Sequence, residues 1–476
     1  MKTITAIFLL ISCGTLLAQE ETKSPLGYWY GQLELMGTTH ELLLLVSPEF
    51  HAKNNKPLKN KYVVELLNQE DSSSFPFKVQ PVNISAKQFE FGIKDLNLKY
   101  SGAPDSQFQR VEGTFEQSGF NAPLVFGRTR FAVKSIERPQ TPMPPFSYHH
   151  REVVIPHIKE NFQLAGTLTL PADTTKPFPV VIMASGSGAQ DRDEEIMGHR
   201  PFWVIADYLA KNGIASLRFD DRGVGKSGGV FSQASLIGFS KDVESVLEFV
   251  KNQPTLSDQE IGVLGHSEGA MHAWILVNRR SDVDFIISLA GPAISGRKII
   301  EQQQYDIALL KSESAAIWTR DLFRGVMDII SNAANSSTTQ KDLDKFIKKH
   351  HKTASKEIQD ANPLDLLLQR VPSMFNTSWG REFIAWSPEN YLPNYQGRVL
   401  FIIGDRDLQV HPELNIQGFQ KLTEKYEPLQ AKAIRFENLN HLLQTCKKCS
   451  IEEYGELVET ISPLVLDEIV TFLQSK

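Results

Sequence analysis

The chain reads as an α/β protein in which a mostly parallel sheet with helices follows a small antiparallel β domain. Two patterns predict this. Beyond residue 148, short apolar runs of strand type alternate with helical stretches, which is the signature of a parallel sheet. Between residues 24 and 135, strand-like runs follow one another with turn residues between them. At 476 residues the chain is long for one domain, and its 41% hydrophobic and 22% charged content is ordinary for a globular protein. With a formal net charge of −6 and no basic patch or aromatic–basic interleaving, nucleic acid is excluded as an expected partner.

Residues 1–18 have the pattern of an export signal. Met1-Lys2 is a short positive start, Ile4 to Leu17 is mostly apolar, and Leu16-Leu17-Ala18 precedes Gln19 as a cleavage site. The run is short for a membrane span, so an exported protein, periplasmic or secreted, is expected without a transmembrane segment. Leu10-Ile11-Ser12-Cys13 also fits a lipobox, and lipid anchoring at Cys13 is the alternative. Residues 24–135 form the β-rich domain, with strands expected at Gly27–Leu35, Glu41–Val46, Tyr62–Leu67, Phe89–Ile93, Val111–Phe115 and Leu124–Phe126. Nothing there has catalytic spacing, and a packed accessory domain is the expectation. Residues 136–147, with Pro139, Pro142, Pro144 and Pro145, read as a linker to the domain at 148–476.

In that domain the strand run Pro179–Ala184 opens into Ser185-Gly186-Ser187-Gly188-Ala189-Gln190-Asp191-Arg192-Asp193, whose glycines let backbone approach a substrate closely. The strand Ile214–Phe219 leads into Asp220-Asp221-Arg222-Gly223-Val224-Gly225-Lys226-Ser227. That segment ends like a phosphate-binding loop, but Asp220 stands where the first glycine is required, so nucleotide binding is rejected. A tight loop is expected instead, with Asp191, Arg192, Asp193, Asp221 and Arg222 as candidates for an ion-pair network.

Glu260–Leu264 then runs into Gly265-His266-Ser267-Glu268-Gly269, followed by a helical apolar run from Ala270. Strand, G-x-S-x-G and helix is the context of a nucleophile elbow, with Ser267 held on a strained turn. His266 should point away from the serine hydroxyl and reads as a packing or site-supporting histidine, and His272 reads as a helix-face histidine. About residues 293–397 are helical in character, with candidates at Arg297–Leu310, Thr319–Ala334 and Gln340–Lys349. An insertion there is expected to form a cap, with Trp379, Phe383 and Trp386 either lining a pocket or filling the cap's own core. After the strand Arg398–Ile403 comes Gly404-Asp405-Arg406-Asp407. Asp407 is the expected acid, and Asp405 reads as a turn carboxylate. After Ala431–Phe436 comes His441, the expected base. Serine, then carboxylate, then histidine is the chain order the elbow requires. The expected oxyanion donors are the N–H groups of Glu268 and Ser187, with Gly186 and Gln190 supporting that loop. His411 is a weaker candidate for the site. Cys446-Lys447-Lys448-Cys449 lacks further zinc ligands nearby and a thioredoxin-like context. In an exported chain the pair Cys446 and Cys449 favours a local disulfide.

The segments Gly186–Asp193, Asp220–Ser227, the elbow and Asn440-His441-Leu442-Leu443-Gln444 together resemble the secreted bacterial carboxylesterases of the α/β-hydrolase superfamily that carry an extra N-terminal domain. Ala189 and Ala270 stand where members of that group often have Pro and Gly. The resemblance spans roughly residues 150–476. It implies cleavage of small acyl esters without metal or cofactor; the serine, carboxylate and histidine would act through an acyl-enzyme, and the esters are either simple or carbohydrate-linked. A serine peptidase of acylaminoacyl-peptidase type is the alternative. Oligomeric state, monomer or homodimer, is not legible.

Overall fold

The structure is a computed structural model that describes residues 24–475, apart from 36–37, 52–55, 68–78, 95–97, 118–119, 130–135, 334–335, 393–394 and 427–429. The expected export signal and Cys13 therefore lie outside the described residues. The chain divides near residue 133 into two compact units.

The first unit is one antiparallel sheet of β1 (Gly27–Leu35), β2 (Thr38–Phe50), β3 (Pro57–Leu67), β4 (Val79–Ser85), β5 (Gln88–Ile93), β6 (Leu98–Pro104), β7 (Arg110–Gln117) and β8 (Phe120–Gly127). The strands run in the order β3-β2-β1-β8-β7-β6-β5-β4, and the two terminal strands also approach each other, so the sheet curls almost into a barrel. Alternate side chains point inward and form an aromatic core of Trp29, Phe89, Phe91, Tyr100 and Phe126, all buried. The Tyr100 hydroxyl, carried into that core, donates to the Leu124 carbonyl at 3.1 Å. Two strands escape the sequence pattern. β4 carries Pro81 and Asn83, and β6 carries Gly102 and Pro104, residues depleted in strands.

The second unit is an eight-stranded mixed sheet. Its strands are β9 (His149–Pro156), β10 (Gln163–Leu170), β11 (Val180–Ala184), β12 (Ala215–Phe219), β13 (Ile261–His266), β14 (Phe285–Leu289), β15 (Arg398–Gly404) and β16 (Gln430–Phe436). The order is β16-β15-β14-β13-β11-β12-β10-β9, parallel from β12 to β16 and antiparallel at β10 and β9. The inner strands β11 to β14 are buried at every position, which is why their sequences are continuous apolar runs rather than alternating ones. Between the strands run α1 (Pro201–Lys211), α2 (Leu236–Lys251) and α3 (Glu268–Val277). An insertion after β14 holds α4 (Gly296–Leu309), α5 (Glu313–Asn332), α6 (Ser336–His351), α7 (Lys356–Ala361), α8 (Leu364–Phe375) and α9 (Ser378–Ala385). The helices α10 (Pro412–Lys425) and α11 (Pro463–Gln474) complete the unit.

Two separate apolar cores lie in this unit. One holds Trp274, Met327, Phe375 and Trp386 among its members, and the other joins Phe202, Phe285 and Ile469. The proline-rich stretch 136–147 is laid onto this unit rather than suspended between bodies. Arg138 donates to the carbonyls of Leu457, Gly455 and Met197, and Gln140 Oε1 accepts from Thr460 N–H at 2.5 Å. Prolines deny the stretch a regular element, while Arg138 and Gln140 fasten it by side chain.

Candidate active site

Ser267 sits between β13 and α3 with φ 51° and ψ −119°, a left-handed-side conformation that an L-residue holds only when its surroundings enforce it. Two glycines make the turn feasible. A Cβ on Gly265 would lie 2.3 Å from Ala270 N, and one on Gly269 would lie 2.0 Å from the Ala184 carbonyl oxygen. Any side chain at either position would push helix and strand apart.

Three side chains from three loops meet at this turn. Ser267 Oγ is 3.1 Å from His441 Nε2, and His441 Nδ1 is 2.8 Å from Asp407 Oδ2. Asp407 and His441 are buried, and Ser267 is half-buried. The other oxygen of Asp407 accepts from the N–H groups of Gln409 (2.8 Å) and Val410 (2.9 Å), which fixes the carboxylate at the end of β15. Asp405 is elsewhere, with its carboxylate accepting from Asn438 N–H at 2.6 Å and bracing the turn before His441.

The loop after β11 packs against the serine. A Cβ on Gly186 would stand 3.3 Å from Ser267 Cβ. The Gly186 N–H is already committed, donating to Glu194 Oε1 at 2.6 Å. Ser187 N–H donates to no protein acceptor among the described residues. Glu268 N–H is at the first turn of α3, where helical amides have no partner within the helix. Gln190 holds the loop from both ends, with its side chain donating to Ser187 O (3.3 Å) and its N–H to Asp221 Oδ2 (3.0 Å). Asp221 also accepts from Ser185 Oγ at 2.8 Å. Burial pushes the Asp221 carboxyl up to about 8, against its hydrogen bonds to Gln190 and Ser185.

Further residues support the site; the sequence reading offers His266 among them and misses Glu194 and the Glu268 side chain. His266 is buried with Nδ1 2.9 Å from Glu194 Oε1 and Nε2 3.1 Å from the His441 carbonyl oxygen. Both ring nitrogens face acceptors, so the arrangement calls for a proton on each. Burial opposes that charge, but the Glu194 carboxylate outweighs it and raises the His266 pKa. Glu194 is fully buried and is not part of any recognisable pattern, so only its three-dimensional position reveals it. The Glu268 side chain is likewise buried. It accepts from Ser187 Oγ (2.6 Å) and Trp379 Nε1 (2.8 Å) and lies 3.2 Å from His272 Nε2. Burial pushes its carboxyl up, yet these hydrogen bonds win and hold it below the usual glutamate range.

The expected ion-pair network is redrawn. Arg192 pairs with Glu152 and Asp220, Arg218 with Asp193, and Arg222 with Asp242 and Glu160. Asp191 instead caps the N–H groups of Asp193 and Glu195. Asp221 makes no ion pair among the described residues, and its oxygens face Ser185 and Gln190. His411 caps α10 through Leu414 N–H rather than joining the serine. Cys446 and Cys449 are bonded, with sulfurs 2.09 Å apart, and the Glu453 carboxylate accepts from the amides of Lys447, Lys448 and Cys449 around them. The two cysteines and Glu453 are the one group of potential metal ligands among the described residues, and the sulfur–sulfur bond occupies both thiols.

A cavity of about 400 Å³ opens over Ser267 and His441. The helical insertion contributes Ile299 and Ile300 from α4, Phe375 from α8, and Trp379 and Phe383 from α9. Trp386 is buried in the core instead.

A family model described as serine aminopeptidase, S33, matches residues 201–445, just over half of the chain. The chain is 29% identical over 217 residues to the esterase EstD of Thermotoga maritima. That match covers 45% of this chain and 48% of EstD, so the chain spans about half the length of that curated relative. Similar solved structures include the Pyrococcus furiosus esterase Pf2001, at 18% identity and TM-score 0.41, covering 72% of this chain and 98% of that one. Another is Est1E from Butyrivibrio proteoclasticus with ferulic acid bound, at 15% identity and TM-score 0.39, covering 68% and 100%. With the family model matching residues 201–445 and the sheet described above, the chain belongs to the serine aminopeptidase S33 family of α/β-hydrolases.

Proposed function

We propose that the protein is a serine carboxylesterase whose catalytic residues are Ser267, His441 and Asp407. The observation that carries this reading is the chain of contacts from Ser267 Oγ to His441 (3.1 Å) and on to Asp407 (2.8 Å). In this reading His441 Nε2 takes the serine proton as Oγ attacks an ester carbonyl carbon. The negative charge on the carbonyl oxygen is met by the N–H groups of Glu268 and Ser187. His441 then gives its proton to the departing alkoxide, and the acyl group stays on Ser267. A water activated by His441 releases the acid and regenerates the serine. Asp407 holds Nδ1 protonated and stabilises the imidazolium. No step needs a metal or cofactor. The helical insertion acts as the cap, with α4, α8 and α9 walling the acyl pocket.

Ser267→Ala is expected to abolish hydrolysis of p-nitrophenyl acetate, and a wild-type rate in that variant refutes the assignment. The family's description supports a second reading, a peptidase. Aminoacyl p-nitroanilides assayed beside acyl esters and acetylated sugars decide between them and test carbohydrate-linked esters directly. We also infer export, from residues 1–18. Mass spectrometry of the mature N-terminus tests it, since a diacylglyceryl group on Cys13 shows the lipid-anchored form instead.

A further inference from the structure

A second cavity, of about 620 Å³, lies beside the one over Ser267. The two share Gly186, Ser187, Glu268, Met374 and Trp379 as a common wall. Much of that wall is one hydrogen-bonded unit, since Ser187 Oγ and Trp379 Nε1 both donate to the Glu268 carboxylate. Met374 in that wall is half-exposed, and beyond it the second cavity is lined by Phe231, Ala234 and Phe239. Phe231 and Phe239 pack at a ring-centroid distance of 5.2 Å, which makes a firm aromatic floor. Polar groups, among them Ser232, Arg370 and Ser373, are exposed residues of the same lining.

The position of this cavity selects its occupant. A departing alcohol must lie within reach of His441 Nε2, because that nitrogen delivers its proton. His441, Gln409 and Tyr454 all line the first cavity. The second cavity touches none of Ser267, His441 and Asp407 and begins at the loop that presents the Ser187 N–H. With the alcohol facing His441, the substituent of the carbonyl carbon that turns away from it, and can reach this cavity, is the acyl group. Phe231, Ala234, Phe239, Met374 and Trp379 give the cavity its apolar surface. Asp221, Glu268 and His272 in the same lining are buried, and the carboxylates are committed to their own hydrogen bonds. The surface offered therefore favours a hydrocarbon chain over a sugar or a charged acid.

Resting on the esterase reading above, we propose that this second cavity is the distal acyl subsite, and that the enzyme takes medium-chain acyl esters whose tails pass Met374 and Trp379 into it. The glutamate after the nucleophile is then a positioning residue. Its carboxylate ties the serine loop and α9 into the wall around which the chain bends.

The test is a pair of substrate series. In the first, the alcohol is p-nitrophenol and the acyl group grows from acetyl to octanoyl. In the second, the acyl group is acetyl and the alcohol grows. For the wild type, kcat/KM rises along the acyl series, by at most about fourfold per methylene buried. Ser232→Trp, at an exposed position where folding is not at stake, and Ala234→Trp both project bulk into the cavity. Each lowers the octanoate-to-acetate ratio by about tenfold or more, and the alcohol series keeps its wild-type slope. Ratios that stay at the wild-type value in both variants overturn the proposal, as does a change confined to the alcohol series. The two readings fail differently. If Ser267→Ala abolishes acetate cleavage while the acyl ratios stay unmoved, only the subsite is refuted. If the wild type cleaves neither ester, the esterase assignment itself has failed and the subsite with it.

Discussion

Ser267, Asp407 and His441, the proposed catalytic residues, lie in one chain of contacts. The spacing of Gly404, Asp407 and Val410 favours Asp407 over Asp405, and the two carboxylates do lie in different surroundings. Asp407→Asn is expected to lower kcat by roughly 10³–10⁴-fold, whereas Asp405→Asn, which only weakens a turn, keeps most of it; p-nitrophenyl acetate kinetics check both. Glu194 is a stronger test of the supporting layer. Glu194→Gln removes the anion that keeps His266 doubly protonated and loosens the grip on the His441 carbonyl. The expected result is a drop in kcat of about 10–100-fold with KM near its wild-type value. Asp221 yields a pH prediction. Its folded-state pKa is raised, to about 8, so its neutral form favours folding. That contribution is complete below the unfolded value of about 4 and is lost as pH rises through the folded value. Asp221→Asn should flatten the decline of thermal stability across that window, and melts from pH 4 to 9 measure it.

At the scale of elements, the loops after β11, β15 and β16 and the turn after β13 bring the chemistry together because parallel strands end on the same side. The helical insertion supplies the covering wall. Its attachment near the nucleophile runs through Trp379 to Glu268, a hydrogen bond to a charged group. Trp379→Phe keeps the ring and loses the donor. It should cost about 1.5–3 kcal/mol of stability and raise KM, read by urea unfolding and by ester kinetics. The Cys446–Cys449 bond closes a very short loop, at a sequence separation of 3. Chain entropy then limits its contribution to about 2 kcal/mol, so reduction should lower Tm modestly and leave the protein folded.

At the scale of the molecule, every residue of the proposed site belongs to the second unit, which has its own two apolar cores. A chain beginning at residue 134 is therefore expected to fold and keep most of its esterase activity; loss of activity with intact folding would assign the β unit a part in the reaction. No helix among the described residues is long and apolar enough to cross a membrane.

The α/β order, the strained turn at Ser267, and the carboxylate and histidine proposed to act with it were legible in the amino-acid order because each depends on local chemistry. Continuous apolar runs mark buried parallel strands, a strained turn needs glycines at 265 and 269, and the reacting residues follow strand ends. β4 and β6 were not legible, since Pro81, Asn83, Gly102 and Pro104 imitate turns while neighbouring strands supply the hydrogen bonds that override them. Glu194, His266 and the Glu268 side chain have roles that only folding assigns. Apart from His272, four positions from Glu268, their partners are 8 to 175 positions away in the chain, and a buried charge is tolerated only once those partners surround it. The same holds for the second cavity. Phe231, Phe239 and Trp379 are ordinary apolar residues until the helical insertion closes over the nucleophile and leaves space between them.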